Sequence, residues 1–191
     1  LLVNTAGPWA NAVLEKVTPT PAKREFDLVA GAHIVLNEPA PSGIYYVEAP
    51  QDQRAVFVMP WKGKTMIGTT ETVFSGDPSD VAPLPEEETY LCDVASSYFS
   101  KFKNLTREKI VESFAGLRVL PHASGKAFSR PRETTFHVDK KLAPRIATIY
   151  GGKLTAYRIT AEKFVAKFSG ALPRRKRKAE TRKLPLTPIK T

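Results

Sequence analysis

The alternation of apolar and polar residues predicts a series of short strands in the first half of the chain. Strand-like runs occur at AHIVL (residues 32–36), IYYVEA, RAVFVMP and KTMIGTT, and short connections containing Asp52, Gly63 and prolines separate them. The run VFVMPWKGKTMIGTT is typical of a hairpin with Trp61-Lys62-Gly63 at its tip. Several strands joined by short connections predict an antiparallel sheet.

Apolar residues change to helical spacing in EEETYLCDVASSYFSKF, where Leu91, Val94, Tyr98 and Phe102 recur three or four residues apart. Pro85 and the glutamates that follow it favour a helix start, because proline suits the first helical position and the backbone dipole attracts negative charge there. The segment therefore predicts a helix in which these four apolar side chains form one buried face.

Weaker signals lie at the two ends of the chain. The chain opens on a strand end, LLVN, followed by a turn at Ala6-Gly7-Pro8 and a short helix. Further strands are predicted at KIVESFAGLRVLP, TTFHV and PRIATIY, before a helix in TAYRITAEKFVAKF. The order predicts an α+β or mixed α/β fold in which the first and last units share one layer and the central sheet is inserted between them. The apolar positions of this last helix are Ile159, Phe164, Val165 and Phe168.

Composition excludes several classes of protein. With 191 residues, of which 42% are hydrophobic, the chain suits one large or two small packed domains. It has no apolar run of roughly 18 residues for a spanning helix and no signal-peptide pattern. The single Cys92 favours a reducing compartment, and His33, His122 and His137 lack ligand-like spacing, so no metal site is predicted. The start inside the apolar run LLVN, without a methionine, indicates a piece of a longer protein.

The net charge of +10 is unevenly distributed. RRKRKAETRK, at residues 174–183, contains seven basic residues and one acidic residue and so carries +6 of the total. Such a run is usually a solvated tail, with an anionic membrane surface or a nucleic acid as the alternative partner. Because most of the excess charge lies in this one run, the composition argues against a nucleic-acid-binding domain.

Two glycines before a helix raise the question of an anion site. In YGGKLTAYR (residues 150–158), Gly151 and Gly152 would let backbone N–H groups approach a ligand, and Lys153 would add a positive charge. Gly7 in NTAGPW offers a second close approach at a strand-to-helix junction. Taken by themselves, both segments are also explained by tight turns.

Arginines inside apolar segments are the other candidate site residues. FAGLRVLP places Arg118 within a strand, where its charge needs a partner, and AFSRPRE adds Arg130 and Arg132. The partner is either an internal carboxylate or an anionic substrate. MIGTTE ends a strand with a glycine and two hydroxyls, Thr69 and Thr70, and turn chemistry alone would explain it.

In order along the chain, NTAGPWANAV, GAHIVL, RAVFVMPWKGKTMIGTTET, GDPSDV, EEETYLCDVASSYF, FAGLRVLP, FSRPRE and YGGKLTAYRITAE resemble the FAD-dependent glycerol-3-phosphate dehydrogenases. These are membrane-associated, quinone-linked flavoproteins of the glycine-oxidase and D-amino-acid-oxidase type. The resemblance covers roughly residues 1–168, and PWKGKTMIGTTE and GGKLTAYR are its most specific parts. AGLRVLP departs from the Ser-Gly-x-Arg-Pro-Leu more usual in the family, so the turn after Arg118 is expected to differ.

The resemblance implies a division of the chain. Residues 1–25 would end a Rossmann-like FAD domain, residues 26–115 would form the substrate-side antiparallel sheet and helix, and residues 116–168 would return to the FAD domain. Residues 169–191 would be a basic tail or the start of a further region. The chain contains no G-x-G-x-x-G, so the pyrophosphate fingerprint lies outside it and the isolated chain is expected to bind FAD poorly and to be inactive.

The resemblance also implies functional roles by position. Arg118 would be catalytic, nearest the reacting hydroxyl, while Arg130 and Lys153 would hold the substrate. His33 and Thr69 are further substrate-pocket candidates, for which a structural role is an equal alternative. The implied FAD-contacting residues are Ala6, Gly7, Gly151, Gly152, Leu154 and Thr155.

The family's reaction oxidises sn-glycerol 3-phosphate to dihydroxyacetone phosphate by hydride transfer from C2 to flavin N5. The implied partners are glycerol 3-phosphate, a quinone and a membrane surface, with a homodimer as a candidate assembly. The implied location is the cytoplasmic face of the membrane or the cytoplasm. The alternatives are a related flavin oxidase acting on another small hydroxy or amino substrate, a non-catalytic anion-binding fragment, and an inactive remnant.

Overall fold

The computed structural model describes residues 1–122, 133–176 and 180–185. The chain divides into two compact units. The terminal unit combines Leu1–Arg24 with Arg132–Thr191, and the central unit is Glu25–Pro131. In chain order the strands and helices are β1 (Leu2–Asn4), α1 (Ala10–Glu15), β2 (Phe26–Leu36), β3 (Tyr45–Glu48), β4 (Ala55–Trp61), β5 (Lys64–Gly68), β6 (Thr72–Phe74), α2 (Pro85–Tyr98), β7 (Ile110–Pro121), β8 (Thr135–Val138), β9 (Ile146–Tyr150) and α3 (Tyr157–Lys167).

A six-stranded antiparallel sheet forms the central unit, as the pattern predicted. Strand β2 lies in its middle, with β7 along one side and β5 and then β6 along the other. Strands β4 and β3 continue the sheet beyond β5. The predicted mixed α/β fold class with an antiparallel sheet is therefore confirmed.

The hairpin between β4 and β5 forms at the predicted place. Trp61 pairs with Lys64, so the loop is the two residues Lys62 and Gly63, with φ of 50° and 77°. Positive φ at both central residues gives a turn whose twist matches that of the flanking strands.

Helix α2 covers one face of this sheet and forms the main core. Leu91 and Val94 of the helix are fully buried, and they belong to the same apolar cluster as Ile34, Val58 and Ile67 of the strands. The prediction for Tyr98 was wrong, because Tyr98 is the last helical residue and is 48% exposed. Phe102 is buried, but it lies on a separate 3-10 turn after the helix.

Two predicted boundaries differ from the structure. Strand β2 begins at Phe26 rather than residue 32, because β7 and β6 pair with its first half and satisfy its backbone groups. The expected division between residues 115 and 116 falls inside β7. That strand stays in register with β2 as far as Pro121, so the central unit extends to Pro131.

The terminal unit contains a three-stranded sheet in the order β1-β9-β8. Strands β1 and β9 are parallel, and each is followed by a helix, as in a Rossmann-like layer. Phe164 of α3 packs edge-on against Phe136 of β8 and lies 4.7 Å from the ring of Phe168. Phe164 is buried, whereas the next residue, Val165, is 55% exposed.

A helix that crosses a bilayer needs about 20 mostly apolar residues. No helix in residues 1–122, 133–176 or 180–185 has the length and apolar character needed to cross a bilayer.

Candidate functional site

The central sheet presents a second face, opposite α2, that carries the predicted polar residues. Because side chains alternate along a strand, Ile34 on the core face places Gly31 and His33 on the other face of β2. Register brings Phe114 opposite His33, and Arg118 opposite Val29, on that same face of β7. The sheet thus gathers His33 and Arg118 on one side, although 85 positions separate them in the sequence.

Arg118 extends across the backbone of β2 at a glycine. A Cβ on Gly31 would lie 2.6 Å from both Nη1 and Nη2 of Arg118, far closer than atoms pack. Nη2 of Arg118 donates to Oγ1 of Thr69 at 3.1 Å, and Nη1 donates to the Thr70 carbonyl at 3.5 Å. Gly31 is therefore what allows the guanidinium to lie against the sheet.

The His33 ring lies between an aromatic ring and a second glycine. It stacks on Phe114 with 5.2 Å between the ring centroids and 8° between the planes. A Cβ on Gly68, the partner of His33 on β5, would collide with the imidazole. The Nδ1 atom of His33 is buried and has no hydrogen-bond partner among the described residues. Stacking and the two flanking strands therefore fix this ring in place.

Burial lowers the pKa of His33 below its ordinary value of 6.5, and the positive charge of Arg118 lowers it further. A neutral imidazole can accept a proton, whereas an imidazolium cannot. A fixed guanidinium beside a neutral imidazole can bind an anion or stabilise a developing alkoxide, and can take up a hydroxyl proton.

In the terminal unit, the turn after β1 is built on a buried asparagine. Asn4 donates from Nδ2 to the Ala10 carbonyl at 2.9 Å, and its Oδ1 accepts from the Ala6 backbone N–H at 3.1 Å. This arrangement positions the predicted residues Ala6 and Gly7. Gly7 has φ of 54°, and a Cβ there would meet no atom within 4 Å, so the backbone is open to a ligand.

The second predicted FAD segment follows β9. Gly151 and Gly152 have φ of 70° and 93°, conformations that favour glycine, and a Cβ on Gly152 would lie 2.5 Å from Oγ1 of Thr134. Lys153 and Thr155 are exposed, and Leu154 is 89% exposed, just before the N-terminus of α3.

These residues fit one edge of FAD rather than the whole cofactor. Open glycine backbone at Gly7, the left-handed backbone of Gly151 and Gly152, and the exposed apolar Leu154 before a helix start suit a flat ring with polar edges. The chain has no G-x-G-x-x-G to cradle a pyrophosphate.

The predicted site residues therefore fall into three groups. The structure brings His33, Thr69 and Arg118 together in the central unit. Lys153 belongs to the terminal unit with the predicted FAD-contacting residues. Arg130 lies outside the described residues.

Sequence reasoning missed Gly31, Phe114 and Asn4. A glycine inside a strand, two residues before a candidate histidine, is a signal for close approach of another group to the backbone. The pairing of Phe114 with His33 depends on the register of two distant strands, and the sequence carries no local sign of it.

The remaining features of the described residues do not add to this site. A cavity of about 550 Å³ lies in the terminal unit beside Phe136, Val138 and Phe168, and none of the predicted site residues lines it. Within the described ranges, no three His, Cys, Asp or Glu side chains are grouped to hold a metal ion.

Comparison with known proteins identifies relatives that are named as dehydrogenases of polyol phosphates. D-erythritol 1-phosphate dehydrogenase of Brucella abortus (strain 2308) is 31% identical over 174 residues, which are 90% of this chain and 34% of that protein. Aerobic glycerol-3-phosphate dehydrogenase of Escherichia coli (strain K12) is 33% identical over 172 residues, 88% of this chain and 34% of that protein. The chain therefore spans about a third of the length of these relatives.

A solved structure shows the same fold. Glycerol-3-phosphate dehydrogenase from Bacillus halodurans, complexed with FAD, superposes with a TM-score of 0.71 at 32% sequence identity. The matched region is 88% of this chain and 32% of the Bacillus halodurans chain. The FAD dependent oxidoreductase (DAO) family matches residues 1–158. FAD is the cofactor of that family, as expected from the sequence. The chain belongs to the DAO family of FAD-dependent oxidoreductases.

Proposed function

We propose that the full-length protein oxidises the secondary hydroxyl of a small polyol phosphate, and that glycerol 3-phosphate, converted to dihydroxyacetone phosphate, is its first candidate substrate. The observation that carries the proposal is the Arg118 guanidinium held over Gly31 beside a neutral His33, in a chain of this family. A cation next to a neutral base suits an anionic substrate that must lose a hydroxyl proton.

FAD, when bound, supplies the acceptor for the hydride that leaves C2. Ala6, Gly7, Gly151, Gly152, Leu154 and Thr155 are the residues of this chain proposed to contact it. Because the chain lacks the pyrophosphate fingerprint, these residues alone are expected to hold FAD weakly.

Three cations are proposed to act on the substrate. Arg118 stabilises the negative charge that develops on the C2 oxygen, while Arg130 and Lys153 hold the substrate. Guanidinium groups suit this work because they stay charged and present paired donors to oxygen. His33 accepts the hydroxyl proton, and Thr69 orients Arg118 through its 3.1 Å hydrogen bond.

D-Erythritol 1-phosphate is a second candidate substrate. It is favoured by the Brucella abortus relative, whose name specifies that compound and which matches 90% of this chain. Both compounds carry a phosphate and at least one secondary hydroxyl, so Arg118 and His33 would do the same work on either.

A quinone at a membrane surface is the proposed electron acceptor, with the cytoplasmic face of the membrane as the location. The basic residues 174–183, with a net charge of +6, would add electrostatic affinity for anionic lipid. A flavin oxidase that uses oxygen is the alternative within the same family.

One assay separates these possibilities. The purified, FAD-loaded full-length protein is mixed with glycerol 3-phosphate or D-erythritol 1-phosphate, and reduction of a quinone analogue and release of hydrogen peroxide are measured in parallel. Quinone reduction with either phosphate, and without peroxide, supports the dehydrogenase. Peroxide release supports the oxidase, and no turnover of either compound contradicts the proposed function.

The lowered pKa of His33 predicts the pH dependence. We expect kcat/KM to be flat near pH 7 and to fall in acid with a midpoint below 6.5, because protonated His33 cannot accept the hydroxyl proton. The pKa of His33 is lower in the folded protein than in the unfolded chain, so the unfolded chain binds the proton more tightly. The free energy of unfolding should therefore fall as the pH drops below 6.5. NMR titration of the His33 ring checks the midpoint, and a value at or above 6.5 would contradict this prediction.

A further inference from the structure

The connection between β5 and β6 interrupts the backbone hydrogen bonds along one edge of β2. Pairing between β5 and β2 ends at Gly68 opposite His33, and pairing between β6 and β2 resumes at Thr72 opposite Ala30. Residues 69–71 therefore pass Gly31 and Ala32 without a regular strand.

Thr70 closes this gap with its side chain. The backbone N–H of Ala32 donates to Oγ1 of Thr70 at 2.9 Å, and the N–H of Thr70 donates to the Ala32 carbonyl at 3.3 Å. Since the hydroxyl oxygen takes the place of a backbone carbonyl in the ladder, the Thr70 carbonyl can turn toward the guanidinium of Arg118, which donates to it at 3.5 Å.

The hydroxyl of Thr70 is in turn held by a buried carboxylate on α2. It donates to Oε1 of Glu87 at 2.7 Å, and Glu87 is only 5% exposed. The other oxygen of Glu87 accepts the backbone N–H of Leu84 at 3.0 Å, and the Thr72 hydroxyl donates to Oε1 at 2.7 Å. The first turn of α2 is thus connected through one carboxylate to the segment that Arg118 contacts.

We infer that Thr70 and Glu87 are positioning residues for Arg118. Their hydrogen bond, on the core side of the sheet, fixes the conformation of the connection at residues 69–71. The Thr69 hydroxyl and the Thr70 carbonyl of that connection then orient the guanidinium on the opposite side of the sheet. This inference rests on the proposed function of Arg118. A polar group buried without its partner costs stability, so the pair also locks the connection in one conformation.

Thr70 and Thr72 form a matched pair for testing the inference. Thr70→Val and Thr72→Val each remove one hydroxyl that donates to Oε1 of Glu87 with almost no change in volume. Of these two threonines, Thr70 alone accepts a hydrogen bond from the Ala32 N–H and carries the carbonyl that accepts a hydrogen bond from Arg118. We expect kcat/KM of the FAD-loaded full-length protein to fall about tenfold or more in Thr70→Val and to stay within about twofold of wild type in Thr72→Val. Thr70→Ser, which keeps the hydroxyl, should restore most of the activity.

Glu87→Gln tests the carboxylate without relying on Thr70→Val to fold. Both carboxylate oxygens of Glu87 accept hydrogen bonds, whereas the amide nitrogen of glutamine is a donor. In either orientation of the amide, this nitrogen would face groups that now donate to Glu87, either the Leu84 N–H or the two threonine hydroxyls. We expect Glu87→Gln to lower kcat/KM and to raise the NMR titration midpoint of His33, because a displaced Arg118 no longer lowers it as strongly. An unshifted midpoint together with unchanged kcat/KM would overturn the inference.

A double-mutant cycle separates positioning from a merely structural role. If Thr70 acts through Arg118, Thr70→Val should cost far less in an Arg118→Ala background than in the wild-type protein. Equal costs in both backgrounds, or equal losses for Thr70→Val and Thr72→Val, would contradict positioning. A failure of the proposed function gives a different result from a failure of this inference. In that case the wild-type protein oxidises no polyol phosphate, while Glu87→Gln still shifts the NMR titration midpoint of His33.

Discussion

Replacing Arg118 with alanine is expected to lower kcat/KM for glycerol 3-phosphate about a hundredfold or more in the FAD-loaded full-length protein. The reason is the loss of a fixed cation where negative charge develops, since removing one such donor commonly costs two to three orders of magnitude in rate. Lysine should not restore the activity, because two different nitrogens of Arg118 contact Thr69 and Thr70, and an ammonium group cannot reproduce that geometry. Steady-state kinetics with both candidate phosphates measure the effect.

Arg107 provides the matched control for Arg118. It lies in the same unit, and its side chain, which is 47% exposed, forms an ion pair at 2.8 Å with Glu88, whose side chain is 14% exposed. Arg107→Ala should leave kcat/KM within about twofold, because the described contact of Arg107 is with Glu88 and not with Thr69, Thr70 or Arg118. If Arg118→Ala retained activity within about threefold of wild type, Arg118 would have no part in the chemistry.

A single methyl group on Gly31 is expected to reduce kcat/KM by roughly ten- to hundredfold, since small displacements of a catalytic group have effects of that size. The added Cβ would lie 2.5 Å from Oγ1 of Thr69 and 2.6 Å from both terminal nitrogens of Arg118. The end of the long Arg118 side chain can shift, but Oγ1 of Thr69 lies on a short side chain, so Gly31→Ala should displace both groups and lower the melting temperature modestly. Steady-state kinetics and thermal unfolding, measured on the same preparation, test both parts.

Gly116→Ala is the natural control for Gly31→Ala. Gly116 is the partner of Gly31 on β7, and a Cβ there meets no atom within 4 Å. This variant should keep the melting temperature and most of the activity. The double variant Gly31→Ala with Arg118→Ala should be no slower than Arg118→Ala alone. Full activity in Gly31→Ala would show that the orientation of Arg118 seen here does not matter for turnover.

The local sequence was sufficient for the parts of the fold that depend on neighbouring residues. The Lys62-Gly63 turn joins β4 to β5, and Gly63 between two apolar runs favours it because glycine adopts positive φ at little steric cost. Helix α2 starts at Pro85 as predicted, since proline and the following glutamates suit a helix N-terminus whatever the helix packs against. The turn at Gly151-Gly152 is likewise a local consequence of two residues that tolerate left-handed backbone.

Burial along α2 was predicted less well, because helical spacing alone does not say which neighbour covers a face. Tyr98 has the spacing of a core residue, yet it is 48% exposed at the end of the helix. Leu91 and Val94 are buried because the sheet lies directly beneath them.

By itself, the sequence determined the mixed α/β class, the antiparallel sheet, the DAO family resemblance and the identity of Arg118 and His33 as candidate residues. Only the tertiary structure decided that β2 extends to Phe26, that β7 stays with it to Pro121, and that Gly31 gives the Arg118 guanidinium its place. The reason is that strand pairing and close approach depend on residues far apart in the chain. The register of β2 against β7 brings Phe114 to His33, and the hydroxyl of Thr70 reaches Glu87 only because α2 packs across the sheet.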